Sequence, residues 1–294
     1  MSDLQTFIDQ AWSDHADDAR GVALRLPQAL DRVGTEDELV ALGHLAQHVY
    51  GGHLAAWADA LKYLAALARG PAFDAHGRSG QTMRRWRAGL ALAAGESDVR
   101  STLELSDRLA VTAQAAALLE LHDIGRAAAL FQEALAAADA ATLADTDPAV
   151  RALAIAGNNL AANLQERPTR SDAERELMVT AAQAGRRFWA RAGTWLETER
   201  ADHRLAMVWL AAGDPAQARE HARACLALID SQPQPQPLES FFGHDALAQA
   251  ERALGQGDAA SRSLGAMRSA FAALPEADQA WCRATLDAQS AAGT

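Results

Sequence analysis

Residues 201–230 read ADHRLAMVWLAAGDPAQAREHARACLALID, and this stretch decides the fold. Small and apolar residues recur at helical spacing up to Ala212 and again from Ala218 onward. Between the two runs stands Gly-Asp-Pro. Gly213 can take the left-handed conformation that ends a helix at little cost. Asp214 can cap the next helix, and Pro215 suits its first turn. The stretch is therefore a helix, a tight turn and a second helix. Related units occur at "DRLAVTAQAAALLEL…HDIG…RAAALFQEALAAADA", residues 107–140, and at "HDALAQAERALGQGDAASRSLGAMRSAFAAL", residues 244–274. A longer-looped pair between them is joined across Pro168. Helix-turn-helix units repeating at roughly 34 to 45 residues signal a solenoid.

Composition agrees. Hydrophobic residues make up 49% of the 294 residues, enough for a sizeable core, while aromatics are only 5%. Alanine is abundant, which favours helix and lets helices approach closely. A large sheet would want aromatic and β-branched residues instead. The net charge of −11 disfavours nucleic-acid binding, since phosphate backbones repel an acidic chain. Cys225 and Cys282 form no CxxC pair, which suits a reducing compartment. The start, MSDLQTFIDQAW, lacks the basic and apolar regions of a signal peptide, and no window approaches 18 apolar residues. These features predict a cytoplasmic protein with no membrane span.

The helix pairs resemble tetratricopeptide repeats. In that family a small residue in the first helix meets a small residue early in the second, and a large residue plugs the gap between units. Ala115, Ala127, Phe131 and Ala134 follow the pattern. Ala206, Trp209, Ala218 and Cys225 follow it in part, with Ala222 where a bulky residue is usual. The resemblance spans residues 100 to 275. It implies an all-α fold, a right-handed superhelix of antiparallel helix pairs with about 13 to 14 helices, closed by a capping helix near 276–290. The first 70 residues are also helical, over 3–18, 20–33, 36–50 and 53–68. The break at 69–81 either separates this N-terminal block, 1–70, from the array over 78–294 or interrupts one continuous superhelix. SQPQPQPLES, residues 231–240, reads as an extended connector.

In tetratricopeptide proteins the first helices line a concave groove. Counting from Gly157 places Arg151 and Asn158 on that face, and the same count in the next unit points Arg200 and His203 inward. Such a polar, partly cationic strip takes extended peptides or their carboxylates through charge-assisted hydrogen bonds. The chaperone-binding subclass clamps a carboxylate with a basic residue four before an asparagine and a further basic pair. Asn158 and the pair Arg200/Arg204 fit loosely, whereas Ala154 stands at the first basic position.

GHLAQHVYGGHL, residues 43–54, raises a different chemistry. His44 and His48 are four apart and share a face of an α-helix, as zinc-protease ligands do. The glutamate that should follow the first histidine is Leu45, and His53 is one residue early for a third ligand. The spacing therefore argues for no metal site, leaving His44, His48 and His53 as weaker candidates. The plainer reading is a helix stopped by Gly51-Gly52 and followed by a second helix. Arg84–Arg87 and Arg186–Arg187 read as helix faces paired with carboxylates rather than nucleic-acid contacts. No nucleotide-binding loop and no GxSxG motif occurs. The sequence thus predicts a non-enzymatic scaffold without cofactor, binding a protein or peptide with an anionic segment. The alternatives are a regulatory sensor for a small ligand or signalling peptide, and a metal-dependent helical enzyme centred on His44, His48 and His53.

Overall fold

The computed structural model describes residues 3–292. Among these there are fourteen α-helices and no strand, so the chain is all-α. They run α1 (Asp3–Asp14), α2 (Ala19–Arg25), α3 (Glu36–Ala46), α4 (Trp57–Leu67), α5 (Arg78–Ala94), α6 (Leu105–Leu119) and α7 (Ile124–Ala140). There follow α8 (Pro148–Glu166), α9 (Asp172–Ala192), α10 (Trp195–Ala212), α11 (Pro215–Asp230), α12 (Pro237–Ala253), α13 (Gly257–Ala272) and α14 (Glu276–Ala292). Neighbours in sequence pack as adjacent pairs, most extensively α6 with α7, α10 with α11 and α12 with α13. The first helices α10 and α12 also touch each other, as in a helical-repeat array.

Local signals set the helix ends. Asp214 accepts a hydrogen bond from the Gln217 amide at 3.0 Å, Pro215 opens α11, and Gly213 closes α10 with φ of 85°. Thr35 with Glu38, Ser171 with Glu174 and Thr194 with Glu197 form reciprocal capping boxes. Each such cap is worth about 1 kcal/mol. Pro237 also sits at a first helical position, so α12 begins inside the proline-rich stretch, and Leu238–Ser240 are helical rather than part of the extended connector.

The chain forms two compact units. The first holds the described residues up to Leu143 together with Asp147–Ala152; the second holds Ala144–Thr146 and Leu153 onward. The division falls at the start of α8. The loop between α4 and α5, within the 69–81 break, lies inside the first unit.

The N-terminal helices are shorter and less regular than the periodicity predicts. After α2 a 3₁₀ turn covers Leu26–Arg32. After α3 the chain does not stop at Gly51-Gly52. It continues as a π-helix over Gln47–His53 and ends at Ala55, whose φ is 48°. A left-handed alanine costs about 1–2 kcal/mol. Buried contacts hold the segment in this form. The Gln114 amide donates to Gln47 Oε1 at 3.0 Å, and a Cβ on Gly51 would lie 2.8 Å from Leu90 Cδ2.

Most residues of the expected small-residue pattern are buried, while Trp209 is half-buried. Ala115, Ala127, Phe131 and Ala134 are buried, and so are Ala206, Ala218, Ala222 and Cys225. Ala206 and Ala222 join Ala246 and Leu247 in one apolar cluster. The tightest crossing is between α8 and α9. There a Cβ on Gly157 would stand 2.6 Å from the Ala181 carbonyl oxygen and 2.8 Å from the Gly185 nitrogen. Gly157→Ala is expected to destabilise the chain by about 2 kcal/mol despite alanine's better helix propensity, because backbone cannot move aside as a side chain can. Gly265→Ala, within α13 and facing open space, should instead stabilise by about 0.5–1 kcal/mol. Denaturant titration of both variants checks the opposite signs.

Candidate functional site

In the second unit, α10, α12 and α14 present one continuous run of contacts. Arg200 Nη2 on α10 reaches Glu239 Oε1 on α12 at 3.1 Å. The His203 ring meets the Phe242 ring edge to face at 6.0 Å, and Phe242 meets Trp281 of α14 at 5.3 Å. Trp281 is 65% exposed, the most open aromatic of this run. Arg204 donates to Gln165 Oε1 at 2.6 Å. Among the described residues, His203 Nε2 is buried without a hydrogen-bond partner. Burial, with a smaller push from the Arg204 charge, takes the His203 pKa down to about 4. The ring is therefore neutral at pH 7 and supplies no cation.

Arg200 and His203 thus share a face, as the helix count predicts. The other two predicted residues are on α8. Asn158 is half-buried on α8 beside the Gly185 crossing, and Arg151 belongs to the first compact unit. The sequence reading missed Glu239, Phe242 and Trp281. Their only signal was a dense aromatic and acidic patch in LESFFGHD and an isolated tryptophan in the last helix.

A partly buried ionic network joins α9, α10 and α11. Arg186 Nε donates to Asp202 Oδ2 at 2.6 Å, and His221 Nδ1 lies 3.1 Å from Asp202 Oδ1. Arg186 is thereby paired with a carboxylate, as is Arg85 with Asp107 at 2.6 Å in the first unit. Glu199, only 2% exposed, accepts from the Cys225 thiol at 2.9 Å. Burial pushes the Cys225 thiol up and keeps it protonated, so it is a hydrogen-bond donor rather than a nucleophile. Burial also raises the Glu199 pKa to about 7, assisted by the Glu239 and Asp202 charges and opposed by the thiol hydrogen bond.

The histidines of the first unit form a second cluster. His15 follows α1 directly, and its Nδ1 lies 2.6 Å from the Trp12 carbonyl oxygen. A carbonyl only accepts, so Nδ1 carries the proton and Nε2 is left with a bare lone pair. His48 Nε2 and His53 Nε2 face each other at 3.1 Å. A donor atom from each of His15, His48 and His53 lies within 4.8 Å of the others. Trp12 packs against this group, 5.1 Å from the His15 and His48 rings and 5.3 Å from that of His44. Burial first, then the neighbouring His53, His15 and His44, takes the His48 pKa down to about 3; burial, His15 and His122 lower that of His53.

The pairing differs from the one the sequence suggested. In an α-helix His44 and His48 share a face, but the π-helix hydrogen-bonds residues five apart and brings His48 over His53. His44 instead lies between Trp12 and Trp86, outside the three-histidine group. His15 was not singled out, because the sequence reading placed it in the first helix, 3–18, far along the chain from the other histidines. Its one signal is Trp12 three residues earlier. An open cleft of about 570 Å³ nearby is bordered by Leu24, Tyr50, Tyr63 and Lys62. Both tyrosine hydroxyls are committed to backbone carbonyls, of Ala23 and Leu26, and Lys62 pairs with Asp59.

No described helix is long and apolar enough to cross a membrane. Fold and sites together define a class, an all-α protein of paired helices carrying an aromatic face and a histidine cluster. The sequence matches no protein-family model and no curated protein.

Glu199 gives the fold a pH dependence of known sign. Its pKa is raised above the usual 4.5, so the folded chain holds the proton more tightly than the unfolded chain. That contribution is complete below pH 4.5 and is lost as pH rises toward 7. Glu199→Gln, which keeps an acceptor for Cys225, should gain about 2 kcal/mol relative to the parent between pH 4.5 and pH 8. Urea unfolding of both proteins at the two pH values measures the difference.

Proposed function

We propose that the chain is a non-enzymatic, tetratricopeptide-like scaffold that holds a peptide segment of a partner protein against α10, α12 and α14. The carrying observation is the ring-to-ring run His203–Phe242–Trp281, which crosses α10, α12 and α14 and ends on an exposed tryptophan. Partly buried aromatic rings beside a polar rim are what peptide recognition uses for anchoring. Arg200 gives the guest its polar handle. It is 62% exposed while its partner Glu239 is 12% exposed, so the arginine can turn to a second carboxylate at small cost. An apolar or aromatic anchor residue followed or preceded by an acidic one is the guest that fits. This narrows the anionic segment expected from the sequence, since neutral His203 adds no charge and Arg151 lies in the other unit.

Selection of displayed random peptides on the immobilised chain tests this reading. The enriched peptides should share an apolar anchor near an acidic residue. Trp281→Ala should weaken them at least about tenfold, and Arg200→Ala should weaken only those carrying the acidic residue. Enriched peptides that bind both variants as tightly as the parent would place the guest elsewhere.

A further inference from the structure

We propose that His15, His48 and His53 form a binding site for one divalent transition-metal ion of the zinc class, with a fourth coordination position open to solvent. The site lies in the first compact unit and does not depend on the peptide reading, which concerns the second.

The donor chemistry comes first. Imidazole nitrogen suits zinc and its neighbours, and three neutral histidines with an open position are an established donor set for such an ion. His15 arrives prepared. Its Nδ1–H is held by the Trp12 carbonyl, so Nε2 presents its lone pair in a fixed direction. Ligating histidines commonly donate their other ring N–H to a backbone carbonyl in this way.

The spacing fits the same geometry. Tetrahedral coordination at about 2.0–2.1 Å places neighbouring nitrogens roughly 3.3 Å apart. His48 Nε2 and His53 Nε2 are 3.1 Å apart, close to that separation without any movement. A ring nitrogen of His15 lies within 4.8 Å of theirs, near enough for one ion to meet all three. All three rings are only partly buried, so an ion and a fourth ligand have access. Two facing Nε2 atoms can otherwise share only a single proton, and a cation between them uses both lone pairs.

The backbone supplies the independent observation. His48 and His53 meet only because Gln47–His53 is π-helical, and the segment ends on the left-handed Ala55. π-Helical segments and strained residues concentrate where a chain has a function to position. An ordinary α-helix would turn His53 away from His48.

Metal analysis of the full chain decides the matter. Chelator-stripped protein is dialysed against zinc chloride and measured by plasma mass spectrometry, expecting one zinc per chain. His48→Gln and His53→Gln should each weaken zinc binding at least about a hundredfold, while exposed His76→Gln leaves it unchanged. Cobalt added to the parent should give the intense visible bands of four-coordinate Co²⁺, a readout that needs no variant to fold. Absence of stoichiometric zinc, a six-coordinate cobalt spectrum, or zinc binding unchanged in His48→Gln and His53→Gln overturns the assignment.

Discussion

Helices in this chain meet where side chains are missing, and most of the structure depends on that. At the α8–α9 crossing, Gly157 and Gly185 let backbone touch backbone, with no room for even one methyl group. In the neighbouring units alanine does the same work more loosely, with Ala206, Ala222 and Ala246 packed in one cluster. In the first unit the same constraint acts on α3 and the π-helical segment that follows it. A Cβ on Gly43 would stand 2.5 Å from the Trp86 ring, and Gly51 rests against Leu90 and Leu118. Close approach leaves little volume for bulky rings at the crossings, and Phe131, Phe188 and Phe241 are fully buried between helices.

Such packing has an electrostatic consequence. Polar side chains on thin, alanine-rich helices are drawn into the interior, where a partner offsets the cost of burial. Asp202 is held between Arg186 and His221, and Glu199 is held by the Cys225 thiol. These contacts tie α10 to α9 and α11, and so help position the helix that carries Arg200 and His203. A buried ion pair of this kind adds little net stability, but loss of one partner would strand the other.

Much of the fold was legible in the sequence. The Gly213-Asp214-Pro215 turn, the small-residue pattern around Ala115 and Ala127, and the capping helix all follow from local rules that tertiary contacts reinforce. The site was legible only in part. Arg200 and His203 lie on one helix, and a helical count finds them. Glu239, Phe242 and Trp281 come from other helices, and nothing local marks them as neighbours. The histidine cluster was hidden more deeply. Its reading assumed 3.6 residues per turn, which pairs His44 with His48, whereas the packing of Gly51 and Gln47 selects a π-helix that pairs His48 with His53. His15 enters from α1, brought there by the fold rather than by spacing.

The central claim is that backbone register, not the spacing of histidines in the sequence, creates the donor set of the first unit. Anomalous diffraction from zinc-containing crystals, recorded at the zinc edge, tests it most directly. The account predicts one strong peak about 2.0–2.1 Å from a nitrogen of each of His15, His48 and His53. A peak bridging His44 and His48, as α-helical spacing would have it, or no peak at this cluster, would contradict it.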